Sequence, residues 1–283
     1  MNHIRKIKQA VKSQPTREGA GVHLKRAFGF SEVPGLDPFL LLDDFHSDNP
    51  DHYIKGFPWH PHRGIETITY VLHGDIEHGD SMGNRGIIGS GDVQWMTAGS
   101  GVIHQEMPQG SEKGLMWGFQ LWANLPADQK MMAPRYRDIK AADIPEVAFE
   151  GGVRIKIICG EVGQVKGPVK DIVIDPQYLD ITIPAEMEHQ HPVKPDHTVF
   201  AYVIGGNGFF DENSSKRFHN ETLVLFDAGD GIMARAGNEE LRFILVSGKP
   251  LEEPVAWHGP IVMNTEEELE TAFREYSNGT FIK

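Results

Sequence analysis

A single cysteine, Cys159, stands in a chain of 283 residues. One thiol cannot close an intramolecular disulfide, so the fold must rest on its core, and a reducing compartment is the expected home. Its place in the apolar run Val153–Cys159 predicts a buried, inert thiol. No apolar run is long enough to span a membrane, and the opening MNHIRKIKQAVKSQ lacks the apolar core of a secretory signal. The expectation is a cytoplasmic protein, or a nuclear one in a eukaryote, with no membrane contact. Basic charge is also scarce: 27 Lys and Arg against 40 Asp and Glu give a net charge of −13. That balance argues against holding nucleic acid directly by phosphate neutralisation, though not against contact with a DNA-bound protein.

Helix signals are few. The clear one begins at Thr265, where TEEELETAFREYSNG supplies an N-cap, Glu268 three residues on, acids in the first turn and Asn-Gly as a stop. Leu269, Ala272, Phe273 and Tyr276 would form its buried stripe. What fills the rest is short strand patterning. ETITYVLHG, RGIIGSGDVQWM, GLMWGFQLWANL, RIKIICG, YLDITIP, TVFAYVIGG and ETLVLFDAGDGIMA are β-rich runs divided by turn residues, a spacing that suggests a sandwich or barrel. The length is about twice that of a usual domain. Its two halves resemble each other: His60-Pro-His62 precedes Tyr70-Val-Leu-x-Gly74, and His189-Gln-His191 precedes Tyr202-Val-Ile-x-Gly206. Gly91-Asp92 before Ala98-Gly99 likewise matches Gly229-Asp230 before Ala236-Gly237, which points to a duplicated β-domain. Ala133 to Glu146, rich in proline and charge, reads as the linker.

In a strand, residues i and i+2 share a face. His60 and His62 can therefore aim two imidazoles into one space, and His104 with Glu106 repeats that spacing in SGVIHQEMP. Three nitrogens and one carboxylate oxygen suit a divalent first-row metal and leave positions open for substrate and O₂. In the second half, carrying the Gly-Asp register forward sets Arg242 opposite His104 and Ile244 opposite Glu106. Neither residue can ligate, so His189, His191 and His197 are expected to form no functional site. His73 and His78, flanking an expected hairpin at Gly74-Asp75, are expected at the surface. Trp59, Met96, Met107 and Met116 are core or pocket floor; Arg63 either supports the carboxylate shell or lies on the surface.

HPHRGIETITYVLHGDIEHGDSMGNRG, followed by GDVQWMTAGSGVIHQEMP, resembles the pirin family of the cupin superfamily. The likeness continues in LDPFLLLDDF, WGFQLWANLPADQKMMAPRYRDI and PIVMNTEEELETAFREYSNGTF, so it runs through almost the whole chain. It implies an all-β bicupin: two facing jelly-roll β-barrels with a short C-terminal α-helix. Residues 1–135 would form the metal-binding cupin barrel, and residues 136–283 a degenerate cupin barrel carrying the helix. The resemblance implies His60, His62, His104 and Glu106 as metal ligands. Glu66, near the place of the usual cupin glutamate ligand, is expected to support the ligands or be structural, because Glu106 supplies the carboxylate. The resemblance further implies one divalent metal ion, Fe2+, while the donor set itself would also accept Mn, Ni, Cu, Co or Zn.

Three neutral imidazoles and one carboxylate leave a divalent ion a formal charge of +1, which favours an anionic enol or catechol-like oxygen pair. Glu106 is then the catalytic group, able to take a substrate hydroxyl proton. The family implies a quercetin 2,3-dioxygenase activity: O₂ opens the flavonol heterocycle and carbon monoxide leaves. Small aromatic or enol-type substrates and O₂ are the expected partners, and a monomer the expected state. Pirins also include transcription cofactors, so the alternative is a metal- or redox-responsive regulator that binds a protein partner.

Overall fold

A computed structural model describes residues 3–30, 36–212 and 215–283. The chain divides into two compact units, and each takes in one end of the chain. The first barrel comprises residues 15–141 together with 251–283; the second comprises residues 142–250 together with 1–14. The expected division at residue 135 and the placing of the helix with the second barrel therefore both differ from what is observed. No helix among the described residues is long and apolar enough to cross a membrane.

The first barrel is built from β2 (Gln14–Glu18), β3 (Val22–Phe28), β4 (Phe39–Ser47), β5 (Phe57–His62), β6 (Ile65–His73), β7 (Asp75–Asp80), β8 (Arg85–Ile88), β9 (Val93–Thr97), β10 (Val102–Gly110), β11 (Met116–Asn124) and β12 (Arg135–Ile139). One sheet has the order β12-β9-β6-β11-β4-β3-β2, and the facing sheet β5-β10-β7-β8, the two layers of a jelly roll. β12 lies within the expected linker, yet it pairs with β9 from Arg135↔Thr97 to Ile139↔Val93. β6 and β7 do not form the expected hairpin. They lie in different sheets, and Gly74, at φ 88°, turns the chain from one layer to the other. A Cβ there would stand 2.8 Å from the Leu115 carbonyl oxygen, so only glycine fits.

α1 (Glu266–Ser277) starts at the expected capping box, with Glu268 N–H donating to Thr265 Oγ1 and Glu268 Oε2 accepting from Thr265 N–H. Leu269 and Ala272 are buried and Phe273 packs beside them, but Tyr276 is exposed and meets Phe281 only edge-on.

The second barrel repeats the plan, with one seven-stranded and one four-stranded sheet. β1 (Ile7–Lys12) forms an edge of its larger sheet by pairing with Thr222–Phe226. Its interior is closed by apolar packing, with Phe210, Phe226 and Phe243 meeting among Ile and Val side chains. Each such side chain contributes about 1.5–3 kcal/mol on full burial. Cys159 is buried, as expected, and its thiol faces the Val169 carbonyl at 3.5 Å.

Candidate metal centre

β5 reads Phe-Pro-Trp-His-Pro-His, and its prolines remove two ladder donors. Such a strand belongs at a sheet edge, where β5 lies, paired among the described residues only with β10. The register sets His104 opposite His60 and Val102 opposite His62. His60 Nε2 lies 3.2 Å from His62 Nε2 and 2.9 Å from His104 Nε2. Among the described residues, these three histidines form the one group whose ligand atoms all fall within 4.8 Å of one another.

Their partners set the tautomers. His60 Nδ1 faces the Pro58 carbonyl at 2.9 Å, and His62 Nδ1 faces the Pro260 carbonyl at 3.0 Å. A carbonyl can only accept, so each Nδ1 carries the hydrogen and each Nε2 presents a lone pair. Two lone pairs 3.2 Å apart repel unless a cation stands between them. The spacings also match a metal: nitrogens bound at about 2.0–2.1 Å around one octahedral ion stand about 2.9 Å apart. Burial, then the charge of His60, holds His62 and His104 well below the ordinary imidazole range, so both rings stay neutral, the form a metal would need. The donor set fits a divalent cation.

Glu106 is buried on the same face of β10 as His104, but it stands outside the three-histidine cluster. The pairing with β5 slips between His104 and Glu106, leaving Glu106 opposite Phe57. Thr69 Oγ1 donates to Glu106 Oε1 at 2.9 Å and lies 2.6 Å from the Gln120 amide. A hydroxyl has one hydrogen, so the Gln120 amide must turn its NH₂ toward Thr69. The donors then run from Gln120 to Thr69 to Glu106.

His78 corrects its expected surface position: with Asp80 it lies fully inside the barrel, on the face that carries His104. His78 Nε2 meets Asp80 Oδ2 at 3.2 Å, its ring stacks on Tyr136, and its centroid lies 5.6 Å from that of His104. Asp80 is fixed in turn by the Met82 and Asn84 backbone N–H groups. The His78-x-Asp80 spacing, identical to that of the other two pairs, was the signal in the sequence. His73 is exposed as expected.

Arg63 fits neither expected role. It is buried, and it donates from Nε to the Ser100 carbonyl, from Nη1 to Glu275 and from Nη2 to the Phe281 carbonyl, thereby fastening the C-terminal segment to the strand that carries His62. Beside it Lys130, whose burial lowers it to about 8, donates to the Gly64 and Val262 carbonyls and to Asn124. Glu66 is structural: its side chain accepts from Thr97 Oγ1 at 2.6 Å, and burial raises its carboxyl above the usual range.

A cavity of about 730 Å³ opens over His60, His62 and Glu106. Its walls include Leu41, Phe45, Trp122 and Trp257, while Trp59, Met96, Met107 and Met116, read as core or pocket floor, do not line it. Met96 and Met116 are core, and Trp59 is half exposed.

In the second barrel, His189 and His191 occupy an equivalent strand, but the residues opposite them are Ala234 and Ile232. The position of His104 is therefore filled by Ala234, not by Arg242, because the second Gly-Asp precedes a different strand from the first. Alanine has no donor atom, and His191 Nε2 is engaged by Gln177 Oε1 at 3.0 Å. His197 lies 3.8 Å from Asp175.

Residues 21–123 match the family model described as Pirin, and residues 178–282 match the Pirin C-terminal cupin domain. A pirin-like protein of Caulobacter vibrioides is 42% identical, covering 98% of this chain and 99% of the relative. A Pseudomonas aeruginosa protein, named provisionally as a quercetin 2,3-dioxygenase, is 41% identical over 99% of both. The crystal structure of a quercetin 2,3-dioxygenase from Acinetobacter baumannii superposes with a TM-score of 0.90 at 33% identity, covering 98% of each chain.

Proposed function

The chain belongs to the pirin family, and from that premise we propose that it is an iron-dependent dioxygenase that opens flavonol-type substrates with O₂ and releases carbon monoxide. The observation that carries this reading is the convergence of three imidazole Nε2 atoms, two of them with lone pairs fixed by backbone carbonyls and both at the wall of a largely apolar cavity. Fe(II) held there would supply the redox chemistry that makes O₂ reactive toward an enolate. His60, His62 and His104 are its ligands in this proposal. Glu106 completes the set or stands just beside it, because it lines the same cavity.

The chain's own residues have three tasks. The hydroxyl of Thr69 fixes one oxygen of Glu106, leaving the other to accept the enol proton of the substrate. Trp122 and Trp257 offer flat apolar walls to a planar ring system. The buried apolar lining keeps water from the deprotonated substrate. A single buried thiol suits work in the cytoplasm.

The test is direct. Fe(II)-loaded protein is mixed with quercetin without oxygen, and O₂ is then admitted. The flavonol absorption should vanish with release of one CO per substrate, and the His60→Ala protein should do neither. Intact substrate beside fully loaded native protein refutes the proposal.

A further inference from the structure

The wall of the cavity carries a row of polar side chains that the three histidines do not explain. Arg26 on β3 lies opposite Asp43 on β4, Asp43 opposite Gln120 on β11, and Gln120 opposite Thr69 on β6. Directly opposed residues share a face, so these four point the same way, and all four line the cavity. Strands lie about 4.8 Å apart, so the row runs about 14 Å along the sheet from Thr69, which holds Glu106, to Arg26. That is the reach of a three-ring planar ligand.

At the far end Arg26 donates from Nε and Nη2 to the two oxygens of Asp43, both at 2.8 Å, and Nη2 lies 3.0 Å from Glu18. Its Nη1 has no hydrogen-bond partner among the described residues, so two N–H donors are presented beside two carboxylates. The trio carries a formal charge of −1. The histidine end, once it holds a divalent ion and Glu106, carries +1.

We propose that Glu18, Arg26 and Asp43 form a distal recognition site for the neutral hydroxyl-bearing ring of a planar aromatic whose chelating enol lies at the histidines. The inference rests on the dioxygenase reading of that pocket and adds how the substrate is oriented and selected. A phenolic hydroxyl both donates and accepts, so it can serve Arg26 Nη1 and a carboxylate together. An anionic group would meet net negative charge, and a bare ring would cover these charges without replacing the hydrogen bonds they make to water. The two ends thus have opposite preferences, and an asymmetric flavonol enters one way round.

The test measures anaerobic binding to metal-loaded protein by quenching of tryptophan fluorescence, with Trp122 and Trp257 in the cavity wall. Three ligands are compared: quercetin, the flavonol lacking its two catechol hydroxyls, and quercetin sulfonated on the catechol ring. The expected result is about 10- to 100-fold weaker binding of the second and third, the weight of one hydrogen bond to a charged group. Glu18 is 43% exposed, so Glu18→Gln tests the charge without threatening the fold, and it should recover much of the binding lost by the sulfonate. Equal binding of all three ligands, or a sulfonate penalty unchanged in Glu18→Gln, overturns the distal site. If quercetin is still turned over, the dioxygenase reading survives that result. Quercetin that fails to bind at all, with metal loading verified, overturns both.

Discussion

Replacing Arg63 with methionine should unfasten the C-terminal segment from the first barrel. The guanidinium side chain is 2% exposed and reaches three acceptors: the Ser100 carbonyl at 2.7 Å, Glu275 at 2.7 Å and the Phe281 carbonyl at 2.8 Å. It also lies 4.2 Å over the Phe281 ring. Methionine keeps the length and apolar stem but has no N–H. Ser100 and Phe281 are both buried, and each carbonyl left without its donor costs about 1–3 kcal/mol. The cation–π contact adds about 1 kcal/mol. Glu275 loses less, because it is partly exposed and retains Lys283 at 2.6 Å. Allowing for the apolar stem, the net loss should be about 3–5 kcal/mol. The assay is selective, since Trp59, Trp95, Trp117, Trp122 and Trp257 all lie in the first barrel, and urea unfolding followed by tryptophan fluorescence reports that unit alone. Metal affinity should fall as well, because the same segment supplies the Pro260 carbonyl that fixes the His62 tautomer. A loss under about 1 kcal/mol with unchanged metal affinity would refute the reasoning.

Other outcomes follow from the same geometry. His78→Phe keeps a ring beside His104 but loses the anchor on Asp80, and metal affinity measured by chelator competition should drop about 10- to 100-fold; an unchanged affinity would make His78 mere packing. Thr69→Val removes the donor to Glu106 at nearly constant volume, so the first barrel should lose about 1–3 kcal/mol in the same fluorescence-detected urea titration. His191 tests the second barrel: burial, then the charge of His189, lowers it to about 3. Between pH 6.5 and about 3 the unfolded chain then binds a proton that the folded one does not, so stability falls as pH falls through that window. At pH 5 the loss should be about 2 kcal/mol, visible as lower hydrogen-exchange protection factors in Glu188–Pro192 and Gly231–Ala236, and His191→Gln should flatten the slope.

Strands and the shared faces of the spaced pairs were legible because both are local. Alternation with period two marks β6, β9 and β11, and the same period places His60 with His62 and His104 with Glu106 on common faces. What escaped depends on partners distant in the chain. Nothing in Ile7–Lys12 says that it pairs with Thr222–Phe226, and nothing in Arg135–Ile139 separates an edge strand from a charged linker until Val93–Thr97 lies beside it. Gly64, at φ 78°, has the Val262 carbonyl oxygen 1.9 Å from where a Cβ would sit, so the C-terminal segment closes over the residue next to Arg63. That closeness explains why the arginine beside His62 became a buried fastening. The repeated Gly-Asp pair misled for another reason. Turn chemistry recurs wherever a chain reverses, so it placed Arg242 where the strand pairing puts Ala234.

The central claim is that three imidazoles of the first barrel close on one cation and that the second barrel has no counterpart. Anomalous diffraction at the absorption edge of the metal, on crystals of protein loaded with one equivalent of Fe(II), tests it most directly. The account predicts a single peak per chain within bonding distance of Nε2 of His60, His62 and His104, and none at His189 and His191. A peak elsewhere, or folded protein that takes up no metal at those three nitrogens, would contradict it.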